Sequence, residues 1–158
     1  MSPLDRSTEL RKALEQLECS QQRQLAARFV ESVLPLAGDE RIAKVIDIVR
    51  RGKPSPEELE AARKMIKAAI VDSHCRCGSE CDWKEQATYF VARAAAAAVA
   101  PENKCVTRNA AWEAAVNARM ACTCAAIEGE DMSEHECEKQ VEIAREFLNA
   151  LQPENTSA

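Results

Sequence analysis

Aromatic residues make up only 4% of this sequence, glycine occurs four times and histidine twice. The scarcity of glycine removes the Gly-rich phosphate loop, and neither Asn-Gly nor Asp-Gly occurs to turn a hairpin. No segment alternates with period two, so no strand is expected. With His74 and His135 as the only imidazoles, a Cys–His pair must form across the fold. Neither H-E-x-x-H, the E-x-x-H of helical di-iron sites, nor G-x-S-x-G appears, and the chain is read as non-enzymatic. The longest apolar run, Tyr89 to Ala100, is broken by Arg93 and falls short of the roughly 18 residues a membrane span needs. The opening MSPLDRSTEL has no apolar h-region, so a secretory signal is not expected. No Lys/Arg stripe carries interleaved aromatics, which disfavours nucleic acid.

Alanine, glutamate, leucine and arginine fill the space these absences leave, and all four favour helix. The 158 residues fit one domain, read as a helical bundle over 1–152 with a frayed tail at 153–158. The net charge is −5. Residues 1–54 hold 10 Lys/Arg against 8 Asp/Glu, and residues 55–158 hold 11 against 18. Acidic patches on the later helices suit a basic protein partner. The composition also allows a homo-oligomer. A cytoplasmic setting is expected, in which thiols stay reduced and the eight cysteines form no disulfide framework.

Helix punctuation is legible. Ser2-Pro3 opens a first helix with Leu10, Leu14 and Leu17 on one face. A second runs to Leu34 with Leu25, Phe29 and Val33 inward. Asp39 caps a third, whose Ile42, Val45, Ile46 and Val49 fall at helical spacing, and Gly52 ends it. Ser55-Pro56-Glu57-Glu58 is a capping box. It opens a fourth helix through Leu59, Ala62, Ile66 and Ala69 to about Ser73. Asp82-Trp83-Lys84-Glu85 and Ser133-Glu134-His135-Glu136 are two more such boxes. They start a fifth helix and a last one, on which Cys137, Val141, Ala144, Leu148 and Leu151 align. Between them a sixth helix is expected from Asn103 to Ile127. The fold class is therefore all-α, an antiparallel bundle of six to seven helices.

The sixth helix has a bulky stripe, Trp112, Val116, Met120, Cys124 and Ile127. Beside it lies a small stripe, Ala111, Ala115, Ala118, Cys122 and Ala125. The fifth offers Ala87, Val91, Ala94, Ala95 and Ala98. Small residues let helix axes approach closely, so an Ala-rich central pair is expected.

SHCRCGSEC at 73–81 gathers His74, Cys75, Cys77 and Cys81. Cys77-x3-Cys81 has a spacing that zinc knuckles use, yet no second knuckle follows. Three readings stand side by side: structural thiols on a connector, a zinc site on those four residues, or redox or disulfide chemistry, with Arg76 favouring a thiolate and Cys81 able to bridge to a neighbouring helix. Cys122 and Cys124 point about 200° apart on a helix and cannot share one ion. Cys124 and Cys137 read as small core residues. His135 reads as a solvated surface group.

The run Arg28-Phe-Val-Glu-Ser-Val-Leu-Pro-Leu leads to Asp39-Glu40-Arg41, then to Arg-Arg-Gly-Lys and the Ser-Pro-Glu-Glu start. Ala-dense helices follow at 92–100 and 110–118. Over roughly residues 25–125 this order resembles small all-helical bacterial immunity proteins. The resemblance implies a protein that binds and neutralises a toxin partner, and it carries no site residues with it. The 74–81 segment and the missing proline near Asp39 depart from that pattern.

Overall fold

The structure, a computed structural model, describes residues 3–76, 82–126 and 133–151. Among these residues it is all-helical, with no strand. The helices are α1 (Pro3–Leu14), α2 (Cys19–Val33), α3 (Glu40–Arg50), α4 (Pro56–Arg76), α5 (Trp83–Ala98), α6 (Glu102–Thr107), α7 (Ala110–Ala125) and α8 (Ser133–Leu151). A 3-10 turn, Leu34–Leu36, closes α2 at Pro35. None of them is long and apolar enough to cross a membrane.

Local chemistry explains where most helices begin. Glu58 N–H donates to Ser55 Oγ, and Ser55 N–H donates to Glu58 Oε1, so the predicted box on α4 forms. Asp82 caps α5 by accepting from Lys84 N–H, but Glu85 does not close the box; it leans toward Arg76, 3.8 Å away. On α8 Glu136 turns inward and accepts from Ser32 Oγ on α2 at 2.7 Å, while the Ser133 side chain of the third box lies outside what is described. Gly52 takes a φ of 82°, the left-handed conformation that ends α3.

Asp39 caps α3 by accepting from Arg41 N–H and also pairs with the Arg41 guanidinium at 2.6 Å. Arg41 in turn reaches Asp72 of α4 at 2.9 Å. The hydrogen bonds from Arg41 hold the Asp39 carboxyl below its ordinary range, against the opposing effect of burial. A depressed folded pKa contributes stability above the ordinary carboxylate range and loses it as pH falls through the folded value. Asp39→Asn keeps the cap acceptor and removes the charge. It should cost about 0.5–1 kcal/mol at neutral pH. The gap between the two proteins should close below about pH 4, read by urea melts across pH.

The centre is the alanine seam. Ala87, Val91, Ala94, Ala95 and Ala98 of α5 meet Ala111, Ala115 and Ala118 of α7, all fully buried. These two helices approach each other more extensively than any other two. Leu25, Phe29, Val30 and Val33 of α2 cover the seam from one side, and Leu10 and Leu14 of α1 add to the same core.

Three expectations about the later helices are corrected. The predicted sixth helix is two, broken at Arg108-Asn109, because Asn109 Oδ1 accepts from Trp112 N–H and starts α7 afresh. Helix α4 runs on past Ser73 to Arg76. The face of α8 is rotated: Glu136, Gln140 and Phe147 go inward with Cys137 and Ala144, while Leu151 is exposed. A side-chain amide explains the rotation. Gln140 is wholly buried, donates to Ala115 O at 2.9 Å and accepts from Arg119 Nε at 2.8 Å, so its burial is satisfied.

Gln22 does the same for α2. It donates to Leu17 O and accepts from Ala110 N–H, joining the end of the α1–α2 turn to the start of α7. Cys19 at the start of α2 is disulfide-bonded to Cys105 of α6, with Cα atoms 5.5 Å apart. This departs from the expectation that the thiols stay reduced. The two positions lie 86 residues apart, so only the folded chain brings them together.

Candidate functional site

The SHCRCGSEC segment begins on the last turn of α4. His74 and Cys75 sit there, both exposed. Cys77 and Cys81 lie outside the described residues. The His74 ring lies 5.5 Å from the Tyr89 ring of α5, an inter-helix contact. Arg76, expected to favour a thiolate, is directed toward Glu85. Among the described residues, no three His, Cys, Asp or Glu side chains converge as a metal site would require.

A second thiol-bearing position lies between α2, α7 and α8. Cys122, His135, Glu136, Ser32 and Lys139 line a shallow cleft there. The types suit nucleophilic chemistry, but the electrostatics oppose it. Burial, with Glu136 beside it, pushes the Cys122 thiol up to about 12. A nucleophile must be thiolate, and this group stays protonated at neutral pH. Cys137 is buried, as its position on the apolar face predicts, whereas Cys124 is only half-buried. The reason is the orientation of α7: its alanines face inward and its larger residues outward. Val116 is 37% and Met120 42% exposed, and Ile127 lies outside the described residues.

Trp112 belongs to that outer stripe but is clamped. Arg11 of α1 and Arg119 of α7 place guanidiniums 5.4 and 5.3 Å from its ring centroid. Acid collects on α8, where Glu138, Glu142 and Glu146 recur every fourth residue on its exposed face. By contrast α5, α6 and α7 together carry Glu85, Glu102 and Glu113 against Lys84, Arg93, Lys104 and Arg119. Among α5 to α8 the excess of acid thus falls on the last helix, where exposed Lys139 and Arg145 offset part of it.

A cleft that the sequence reading missed opens between α4, the end of α5 and the α6–α7 turn. It encloses about 350 Å³. Arg63, Lys67, Arg93, Lys104 and Arg108 line it, with Glu113 as the one acid. Two arginines organise its back. Arg63 Nε donates to Val99 O at 2.7 Å, and Arg23 donates twice to Ala100 O, at 3.1 and 2.6 Å. They cap carbonyls that the end of α5 leaves without helical partners. Burial, and then the nearby Arg63 cation, lower the pKa of Arg23, against the opposing pull of Glu102. Lys67 four residues after Arg63, and Arg108 four after Lys104, were the local signals; what joins the two pairs and Arg93 is the fold. No family model, no curated protein and no solved structure matches this chain.

Proposed function

We propose that the protein is a non-catalytic interaction protein, an antiparallel helical bundle that presents a rigid face to a protein partner. The observation that carries this reading is the outward placement of Val116 and Met120 on a helix whose inner face is alanine. Exposed bulky side chains on a well-anchored helix suit a partner surface. The protonated Cys122 thiol supports the non-catalytic part. The likeness to bacterial immunity proteins suggests that the partner is a toxin, and the glutamates of α8 suit a basic one.

The test is affinity capture with the native chain and with the double variant Val116→Asp, Met120→Asp. Both positions are exposed, so the variant should fold. A partner held by the native chain should be lost, with at least about a hundredfold drop in affinity. Equal capture by both proteins overturns the reading.

A thiol or zinc-binding role for His74, Cys75, Cys77 and Cys81 is the second reading, favoured by the exposure of His74 and Cys75 together at the end of α4. Metal analysis of protein purified without chelator decides it. A content below about 0.2 zinc per chain retires the idea.

A further inference from the structure

The cleft between α4, α5 and the α6–α7 turn concentrates positive charge in an acidic protein. The chain carries −5 overall, yet five cationic side chains face this one cavity against a single carboxylate. Like charges repel, and a chain with more acid than base has carboxylates to spare for neutralising them. They serve only some of these cations. Arg63 is engaged by Val99 O and by Glu60, 3.2 Å away, and Arg108 meets Glu113 at 3.4 Å. No carboxylate of the described residues pairs with Lys67 or Arg93. Arg93 is held in place instead by a neutral group: its guanidinium lies over the Tyr89 ring at 5.7 Å and donates to the Tyr89 hydroxyl at 3.2 Å. It is oriented without being neutralised.

The floor between these cations is apolar. Ile66 and Ile70 of α4 face Ala96 and Ala97 of α5 across it. Three arginines and two lysines set around an apolar floor match a ligand with a compact anionic head on an apolar body. A volume of about 350 Å³ lies within the range of small-molecule sites and far below what a folded partner needs.

We propose that this cleft binds a small organic dianion, a phosphate monoester or a dicarboxylate, with its charge between Lys67 and Arg93 and its apolar part on Ile66, Ile70 and the α5 alanines. Arginine suits both kinds of head through paired N–H donors, and lysine adds an adaptable charge. Glu113 and Asn117 of α7 also line this site, so it borders the outer face of that helix, but it does not depend on the interaction role.

Titration of the folded chain with phenyl phosphate and with phthalate, followed by calorimetry and amide NMR, tests the assignment. At least one should bind saturably, with a dissociation constant of about 0.1–1 mM at low salt. Inorganic phosphate should bind more weakly than phenyl phosphate, because it leaves the apolar floor uncovered. Comparing phenyl phosphate with phthalate identifies the preferred head. The double variant Lys67→Glu, Arg93→Glu should lower affinity at least about tenfold. Both positions are exposed and cap no helix. Lys64→Glu, one charge reversal on the same helix but outside the cleft lining, should change affinity less than about twofold. The proposal is overturned if neither probe binds saturably, or if Lys64→Glu weakens binding as much as the double variant does.

Discussion

Replacing Cys19 and Cys105 together by alanine lowers stability by about 2–4 kcal/mol, and reductant does the same to the native chain. The bridge spans 86 residues, long enough that leaving it out gives the unfolded chain a large gain in freedom. In a chain of this size the melting temperature should fall by roughly 5–15 °C. The bridge joins the start of α2 to α6, a helix of only six residues with few long-range anchors. Local opening should therefore appear first around α6, as faster amide exchange at 102–108 than in α5. Thermal and urea melts with and without reductant decide the matter; superimposable curves would show that the bridge does not constrain the chain.

Ala115→Leu should cost about 3 kcal/mol, and Val116→Leu, one residue further on, less than about 0.5 kcal/mol. Ala115 is fully buried against α5. Added carbons there must push two axes apart or force strained rotamers. The damage spreads, because Ala115 O accepts from Gln140 Nε2 and Gln140 Oε1 accepts from Arg119. Displacing that amide leaves buried polar groups without partners. Val116 is 37% exposed and can extend toward solvent. Urea melts of both variants test whether the seam is as tight as its alanines imply. Near-equal midpoints would mean that it is not.

Much of the fold was legible because helix starts and small-residue faces are local signals. Ser55-Pro56-Glu57-Glu58 specifies its own hydrogen bonds, and the alanines of α5 and α7 can hardly serve except against a close neighbour. The break at Arg108-Asn109 was also local, but one asparagine cap is a weak mark inside an apolar pattern. The rotation of α8 was not local at all. Glu136 and Gln140 look like surface residues until Ser32, Ala115 and Arg119 are set around them. The outward turn of Val116 and Met120 inverts the usual hydropathy rule, since closeness of approach, rather than size, selects what goes inside. The cation-lined cleft and the Cys19–Cys105 bridge both join positions far apart in sequence, and no spacing pattern records such meetings. The four residues singled out at 74–81 shared a short stretch, but the structure describes two of them, His74 and Cys75, and gives His74 a tyrosine neighbour.

The inside-out arrangement of α7 separates two kinds of selection along a single rod. Changes at Ala111, Ala115 or Ala118 are judged by whether the chain still folds, whereas changes at Val116 or Met120 are judged by what the molecule touches. Descendants can therefore diverge in recognition while inheriting the same scaffold, with neither trait held hostage to the other.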